Sequence, residues 1–272
     1  MPETLAVHPG DVERVRQAGI ANPHVAIVAG SGLSSLGVLA EEAIRIPYAD
    51  LPGFPRPEYE VPGHKGQLVG GTIGGQPVIV FQGRVHSYQG FTALEAAYPA
   101  RLAAALGVEI IVVTNAAGGV NPSHKPGQIV LINDHMNLRG DSPLTGWAGP
   151  PGGAPFVPMR DAYDPQLRKI AHEAAQKLGH YLPEGIYAGL LGPAFETPAE
   201  VAYLHNAGAD MVGMSTVPEV ICARALGLRV LGFSLVTNTA AGEGLSHKEV
   251  LAAGDEAAER MTQLTIAILR EL

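Results

Sequence analysis

The sequence predicts one α/β domain over residues 1–272, with a twisted, largely parallel mixed β-sheet flanked by helices. Short apolar runs typical of buried strands alternate with segments whose apolar residues have helical spacing. Several of these runs end in small residues, as expected where parallel strands meet a ligand at their carboxyl ends. No linker or shift in composition divides the chain, so we expect a single domain.

Composition argues against several functional classes. Hydrophobic residues make up 46% of the chain, which is typical of a folded domain. The formal net charge of −8 argues against binding to nucleic acid or membrane surfaces, because both require a basic face. No run approaches the ~18 apolar residues of a membrane span, and no signal peptide is expected. Cys222 is the single cysteine, so no disulfide can form within the chain, and we expect a cytoplasmic protein.

The helix starts have local reasons. Thr92 and Glu95 form a predicted capping box, and Asp164 is the expected cap of a later helix. Thr197 precedes Pro198, which suits the first position of a helix. Helices are predicted at residues 11–18, 92–106, 165–178, 218–226 and 246–269, and from Pro198 onward. Buried strands are predicted at residues 24–29, 78–81, 108–113, 128–132, 186–191, 210–215 and 228–236, with loops at 47–62 and 139–158.

The first predicted strand ends in a glycine turn, Gly30-Ser31-Gly32, and a helix is expected to follow from Leu33. Converging backbone N–H groups and a helix N-terminus form an anion site at such a turn, to which Ser31 adds a hydroxyl. An ordinary strand-to-helix turn explains the same pattern equally well.

The segment after the second strand, Gln82-Gly83-Arg84-Val85-His86-Ser87-Tyr88-Gln89-Gly90, has the strongest chemical signature. If the chain stays extended, Arg84, His86 and Tyr88 project to the same side. The arginine fork matches phosphate oxygens, and the imidazole and phenol add hydrogen-bonding groups. Taken alone, the triplet is explained about as well by a surface loop.

Two strand ends share a local sequence. Residues 113–118 read Val-Thr-Asn-Ala-Ala-Gly, and residues 236–242 read Val-Thr-Asn-Thr-Ala-Ala-Gly, with Asn238 in the second. We interpret them as two small-residue rims of one cleft, because small side chains let backbone approach a ligand closely.

Four further polar residues have both an ordinary and a functional interpretation. A solvated loop position explains His64 as well as anion binding does. Ser215 or Thr216 is the expected N-cap of the helix over residues 218–226, and capping explains Ser215 as well as anion binding does. Glu196 is either a loop carboxylate or a partner for a flat ligand beside Phe195. His247 falls in the first turn of the last predicted helix, where a positive charge is disfavoured, so it is either exposed or a neutral hydrogen-bond partner.

The motifs, taken together and in order, resemble those of the trimeric purine nucleoside phosphorylases from about Asn22 to the C-terminus. The matching strings are Gly30-Ser31-Gly32-Leu33, Pro62-Gly63-His64, Gln82-Gly83-Arg84-x-His86-x-Tyr88, Thr114-Asn115-Ala116-Ala117-Gly118-Gly119, Gly192-Pro193-x-Phe195-Glu196-Thr197 and Gly213-Met214-Ser215-Thr216-Val217-Pro218-Glu219.

The resemblance implies phosphorolysis of inosine, guanosine and their 2′-deoxy forms, with His86, Glu196 and Asn238 as catalytic residues. It implies a phosphate site of Ser31, His64, Arg84, His86, Ser215 and the N–H of Ala116, a ribose site of Tyr88, Met214 and His247, and a base site of Phe195, Glu196 and Asn238. It also implies a homotrimer in which Phe156 reaches the neighbouring subunit's site. Phosphate is a co-substrate, and we expect no metal or other cofactor.

Glu196 predicts the preference for 6-oxopurines. An ionised carboxylate only accepts hydrogen bonds. Hypoxanthine and guanine present N1–H as a donor, whereas the N1 of adenine is a second acceptor. Methylthioadenosine phosphorylase is the nearest rival, and it is expected to lack this glutamate and to carry Asp in place of Asn238.

Two other classes are disfavoured. A dinucleotide-dependent oxidoreductase requires a third glycine after Gly32 and a ribose-binding acid, and the sequence has neither in the required place. A non-catalytic nucleoside sensor would have no need of Arg84 and His86. Phosphate dependence distinguishes both from the enzyme.

Overall fold

The computed structural model describes residues 5–30, 40–59, 64–241 and 254–272. In this part of the chain one nine-stranded sheet is flanked by seven α-helices. The strands are β1 Val25–Ala29, β2 Glu41–Pro47, β3 Gln67–Ile73, β4 Gln76–Gln82, β5 Ile110–Gly119, β6 Ile129–Asn137, β7 Glu184–Gly189, β8 Met211–Gly213 and β9 Arg229–Thr239. The helices are α1 Pro9–Gln17, α2 Ala93–Ala96, α3 Tyr98–Ala105, α4 Pro165–Lys177, α5 Pro198–Asn206, α6 Val217–Ala225 and α7 Gly254–Leu269. None of these helices is long and apolar enough to cross a membrane.

The sheet is mixed and partly closed on itself. Its strand order is β2-β3-β4-β1-β5-β8-β7-β6-β9, and β9 pairs with β5 as well. The strands from β5 to β9 therefore form a ring, and β4, β1 and β5 run parallel beside it. Antiparallel pairs occur at the β2–β3–β4 edge and where β5 meets β8 and β6 meets β9. The prediction of an α/β fold with a mixed sheet flanked by helices is confirmed.

Both faces of the central strands are buried, which explains their continuous apolar runs. Along β1, Ala26 and Val28 pack into one apolar layer, and Val25 and Ile27 pack into the other. The first layer includes residues of α1, α3 and α6, and the second includes residues of α4 and α7. The alternation of neighbouring side chains between the two layers follows from the pleat of the strands.

The predicted helix over residues 92–106 is divided in two. Thr92 caps α2 through the expected box with Glu95, and α2 ends at Ala96. A second helix, α3, then begins at Tyr98 with Pro99 in its first turn. Proline has no N–H to continue the hydrogen-bond ladder and clashes with the preceding turn, so the single-helix prediction was wrong.

The two small-residue rims are strands and not loops. β5 extends through residues 114–119 and β9 through Thr239, and the two segments pair in parallel with an irregularity between Ala117 and Gly118. The small residues at the end of β5 and of β9 are hydrogen-bonded to each other. The spacing of apolar residues in the sequence could not indicate this pairing. β2 and β3, an antiparallel pair at the sheet edge, were missed altogether because neither is a continuous apolar run: most of β2 is exposed or half-buried, and β3 contains Gly70 and Gly71.

The start predicted for the last helix, at residue 246, and the helix predicted from Leu33 lie outside the described residues. The long loop after β6 contains neither helix nor strand before α4, as predicted.

We expect Asp164→Ala to destabilise the fold. Asp164 caps α4 by accepting hydrogen bonds from the N–H groups of Gln166 and Leu167, and it forms an ion pair with Arg229 at 2.8 Å. Loss of an N-cap typically costs about 1 kcal/mol of unfolding free energy, and loss of the ion pair adds to this. Denaturant unfolding measures the change. Glu173→Ala is the control, because its contact with Lys169 on the same helix is exposed and 3.8 Å long; equal losses in the two variants would contradict the capping role.

Candidate active site

A cavity of about 320 Å³ opens at the carboxyl ends of the parallel strands. Its wall comes from residues just after β1 and β4, from β5 and β9, from the segment before α5, and from β8 and the two residues after it. The lining residues are Gly30, Arg84, His86, Tyr88, Asn115, Ala116, Ala117, Gly118, Pro193, Phe195, Glu196, Val212, Gly213, Met214, Ser215, Thr237 and Asn238. Nine of the predicted site residues therefore share one cavity, namely Arg84, His86, Tyr88, Ala116, Phe195, Glu196, Met214, Ser215 and Asn238.

Arg84 is the cation of this cavity, and its guanidinium is held from several sides. Nη1 donates to the Glu219 carboxylate at 2.7 Å, and both side chains are only 2% exposed. Nη2 donates to the backbone carbonyls of Val28, near the end of β1, and Thr114, within β5. These contacts fix the plane of the guanidinium, so its orientation is set before any ligand binds.

Gly30 is required where the chain passes Arg84. A Cβ at this position would lie 2.6 Å from the Thr114 carbonyl oxygen and 3.1 Å from Arg84 Nη2. The Gly30 N–H donates to the Thr114 hydroxyl at 3.1 Å. The glycine turn predicted after β1 thus begins with a close backbone approach to the arginine.

Thr216 links Arg84 to β5 and has a strained backbone. Its hydroxyl accepts from the Asn115 amide at 2.9 Å and from Arg84 Nη1 at 3.4 Å. Its φ of 69° lies in the left-handed region, which is an outlier for a β-branched residue. The residue precedes α6, but its side chain makes no capping bond. The prediction that Ser215 or Thr216 caps this helix by its side chain is therefore not met by Thr216, whose hydroxyl binds Asn115 and Arg84 instead.

His86 and Tyr88 form a stacked pair, although the chain does not stay extended as predicted. His86 has extended backbone, but Ser87–Gln89 form a single 3₁₀ turn. The two rings stack with centroids 4.8 Å apart, and both line the cavity. Burial, together with the charge of Arg84 and the neighbouring His64, lowers the pKa of His86 well below its usual value. His86 is therefore a neutral imidazole at physiological pH, able to donate one hydrogen bond and accept another.

His64 lies on the far side of the same segment. Its ring stacks on His86 at a centroid distance of 5.5 Å, and its Nδ1 lies 3.1 Å from the Arg84 carbonyl oxygen. The structure places it in the lining of a second cavity, of about 360 Å³, and not in that of the first. Its predicted direct contact with phosphate stays a prediction.

The cavity lining also combines an aromatic ring with a carboxyl and an amide. Phe195 and Glu196 lie just before α5, and the Phe195 ring is 47% exposed. Burial raises the pKa of the Glu196 carboxyl, and the nearby Glu200 raises it further. Asn238 accepts from the Thr237 hydroxyl at 2.9 Å, and its Nδ2 donates to the Thr239 carbonyl at 3.2 Å.

Tyr88, Met214 and Ser215 also line the cavity. Burial raises the pKa of Tyr88 to about 12, so the phenol remains protonated and can donate a hydrogen bond. The Ser215 N–H donates to the Tyr187 hydroxyl at 3.3 Å, which fixes the backbone where β8 leads into α6. Ser31 and His247 lie outside the described residues.

Phe156 is not part of this cavity. Its ring is 85% exposed, and it lies in the long loop between β6 and α4. Within one chain the structure therefore assigns it no site contact. Among the residues described here, no group of three or more His, Cys, Asp or Glu is arranged to hold a metal ion.

The comparison with known proteins identifies the family. The sequence model of the phosphorylase superfamily matches residues 24–270. The chain belongs to this superfamily. Purine nucleoside phosphorylase 1 of Geobacillus stearothermophilus is 44% identical over 92% of each chain. The purine nucleoside phosphorylase of Mycobacterium tuberculosis is 46% identical over 98% of this chain and 96% of its own length.

Solved structures of the superfamily agree with the fold. A schistosoma purine nucleoside phosphorylase in complex with hypoxanthine superimposes with a TM-score of 0.88 and is 38% identical, covering 97% of this chain and 96% of that chain. A Schistosoma mansoni purine nucleoside phosphorylase in complex with adenosine also has a TM-score of 0.88, at 39% identity over 96% of this chain and 95% of that chain. The predicted relationship to the purine nucleoside phosphorylases is confirmed.

Sequence reasoning assigned no role to several residues that hold the site. Glu219, Thr216 and Asn115 form the buried surroundings of Arg84, and Glu219 is only 1% exposed. The sequence contained one signal, because Glu219 is the single acid in the otherwise largely apolar α6. A buried acid in a helix requires a cationic or hydrogen-bonding partner.

We expect Glu219→Gln to leave Arg84 short of a counter-charge in the fold. Removing one partner of a buried ion pair typically lowers the free energy of unfolding by about 3–5 kcal/mol. The loss in Glu219→Gln should lie at the low end of this range, because glutamine keeps a carbonyl acceptor. Inorganic phosphate should therefore raise the thermal midpoint of Glu219→Gln more than that of the wild type. Thermal unfolding at increasing phosphate, against chloride of equal ionic strength, measures this.

The double variant Glu219→Gln/Arg84→Met is the control for that experiment. Without the guanidinium, phosphate should give no additional stabilisation. Equal phosphate responses in the wild type and in Glu219→Gln would contradict the role of the ion pair.

Proposed function

We propose that this chain catalyses the reversible phosphorolysis of purine nucleosides and 2′-deoxynucleosides at the described cavity. The single observation that carries this proposal is that three sets of groups line one cavity. Arg84, His86 and Ser215 suit an anion, Tyr88 and Met214 suit a sugar, and Phe195, Glu196 and Asn238 suit a flat heterocycle. One cavity therefore offers groups for a phosphate, a sugar and a base.

The first of these sets suits a dianion in an overall acidic chain. Arg84 and the N–H and hydroxyl groups around Ala116 and Ser215 supply local donors, so the net charge of −8 is not an obstacle. His86 is neutral and donates one hydrogen bond without adding a second full charge. We propose that Ser31 and His64 complete the phosphate contacts.

Phosphate is the nucleophile of the proposed reaction. One of its oxygens bonds to C1′ of the sugar as the glycosidic bond to N9 breaks, and the bonding electrons leave with the purine. The products are a free purine and (deoxy)ribose 1-phosphate. Binding both reactants in one cavity converts a bimolecular encounter into an oriented one, and the phosphate charge stabilises the cationic sugar of the transition state. The nucleophile is supplied by the co-substrate, so we propose that the reaction requires no metal or other cofactor.

Asn238 suits the role of stabilising the departing purine. The Thr237 hydroxyl donates to the Asn238 Oδ1 at 2.9 Å. The amide Nδ2 carries two N–H donors, of which one goes to the Thr239 carbonyl, so the second can donate to a bound base. A donor directed at N7 stabilises the negative charge that develops on the base. We propose that Tyr88, Met214 and His247 hold the sugar meanwhile.

Glu196 supports a preference for inosine and guanosine over adenosine. As a carboxylate it accepts the N1–H of a 6-oxopurine, and it has no donor for the N1 of adenine. A mismatch of this kind discriminates by as much as ~10⁴ in favourable cases. We therefore propose a 6-oxopurine specificity.

Base release from inosine and from adenosine, each with and without phosphate, tests the proposed function. Phosphate-dependent release from inosine supports the reaction, and much slower release from adenosine supports the specificity. Release that does not require phosphate would indicate a hydrolase, and adenosine used as well as inosine would contradict the role of Glu196.

The inosine preference should depend on pH in a defined direction. Because burial raises the pKa of Glu196, this carboxyl is protonated at a higher pH than an ordinary glutamate. Protonation replaces an acceptor with a donor, so lowering the pH should weaken inosine binding and favour adenosine. The kcat/KM for inosine divided by that for adenosine should therefore fall as the pH falls.

Glu196→Gln is the control for the pH experiment. Its amide has no proton to gain, so the pH dependence of the ratio should disappear. Loss of one hydrogen bond to a charged group should also lower kcat/KM for inosine by about 10- to 100-fold. An unchanged pH profile in the variant would assign the effect to another group.

We further propose a homotrimer in which Phe156 completes the neighbouring subunit's cavity. Phe156 is 85% exposed in a glycine- and proline-rich loop, so its ring is free to contact a second chain. In the cavity lining Tyr88 is half-buried and Phe195 is exposed, and a further aromatic side chain beside them would exclude water from the sugar.

Complementation tests the shared site. Phe156→Ala and Arg84→Met should each be nearly inactive alone. In mixed oligomers, a Phe156→Ala cavity can receive the intact Phe156 of an Arg84→Met chain, so mixing through denaturation and refolding should restore part of the activity. A mixture no more active than the sum of its two components would contradict a site shared between subunits.

A further inference from the structure

Arg139 is a second buried arginine close to the cavity, and it is not in the cavity lining. It lies at the start of the long loop after β6, and its side chain is only 1% exposed. Asp141 neutralises it through a two-point contact, Nε to Oδ1 at 3.0 Å and Nη2 to Oδ2 at 3.1 Å. Such a fork-to-fork pair fixes the plane of the guanidinium as well as its charge.

The remaining donors of Arg139 reach two segments that line the cavity. Nη2 donates to the Ser87 hydroxyl at 2.5 Å, at the first position of the 3₁₀ turn that contains Tyr88. Nη1 donates to the Leu190 carbonyl at 3.4 Å, just after β7. The segment that follows Leu190 continues to Phe195 and Glu196 before α5 begins.

The position of Arg139 thus differs from that of Arg84. Arg84 connects the end of β1 to the middle of β5, beside the proposed phosphate site. Arg139 connects the turn that carries Tyr88 to the strand end that leads to the base site. A small space of about 10 Å³ separates the two arginines, so there is room between them for no more than about one water molecule.

We propose that Arg139 is a positioning residue that holds the sugar and base walls of the cavity at a fixed separation. This inference rests on the proposed function, because it concerns nucleoside binding at the same site. Arg139 touches neither the nucleoside nor the phosphate, and it acts through Ser87 on Tyr88 and through Leu190 on the segment that carries Glu196. Burial raises the pKa of Glu219 to about 7 and lowers that of His86, and the charge of Arg139 acts more weakly on both pKa values in the lowering direction.

Ser87→Ala removes the contact to the turn while leaving Arg139, Asp141 and every cavity-lining side chain in place. Loss of this hydrogen bond should raise KM for inosine by about fivefold. Arg139→Gln removes the fork entirely and should raise the same KM by about 30-fold, with Arg139→Lys in between. KM for phosphate should change by less than about twofold in Ser87→Ala, because Arg84 and its partners are untouched.

The test uses steady-state kinetics with inosine and phosphate varied in turn, and the thermal midpoint of each variant is measured beside it.

A double-mutant cycle with Tyr88→Phe is the second measurement. The effect of Ser87→Ala on KM for inosine should be smaller in the Tyr88→Phe background, because the contact acts through Tyr88. Equal rises in both KM values, a fall in kcat alone, or additive effects in the cycle would each overturn the positioning role. Absence of phosphate-dependent base release in the wild type would instead contradict the proposed function and leave no KM to compare.

Discussion

The buried pair of Arg84 and Glu219 is the interaction on which the site depends. Its two residues are separated by 135 positions in the sequence and come within 2.7 Å in the fold. Burying both charges is unfavourable by itself, so the pair requires the further hydrogen bonds that the guanidinium makes to Val28 and Thr114. Those carbonyls belong to the end of β1 and the middle of β5, so one side chain connects two parallel strands to α6. A cation held this way has little freedom to lose if an anion binds to it.

The rest of the cavity is built outward from this point. The strained Thr216 and the amide of Asn115 surround the guanidinium, and His86 stacks on Tyr88 in the same lining. Arg139 connects the Tyr88 turn to the end of β7. The lining therefore combines a permanent cation, a neutral imidazole and a carboxyl whose pKa burial raises. These are the groups on which the proposed binding of an anion, a sugar and a heterocycle rests.

Much of the fold could be predicted because its signals are local. The caps at Thr92, Asp164 and Thr197 were found from residue type and spacing, and the buried strands from apolar runs. Long-range pairing was the limit: the strand character of residues 114–119 depends on β9, which lies more than a hundred residues away. For the site, the motifs indicated the lining residues. Glu219 and Arg139 were not assigned to the site. The sequence shows Glu219 as a lone acid in a largely apolar helix, but nothing local connects it to Arg84, or Arg139 to Ser87.

In the proposed reaction, a phosphate held at Arg84 attacks the sugar of a bound purine nucleoside. ³¹P NMR of inosine incubated with the enzyme and ¹⁸O-labelled phosphate tests this most directly. If phosphate attacks C1′, the ribose 1-phosphate signal should show the isotope shift of phosphate that has kept all of its ¹⁸O label. Hypoxanthine should form in an equal amount. Free ribose with unconsumed phosphate, or ribose 1-phosphate that has lost label, would contradict attack by phosphate at C1′.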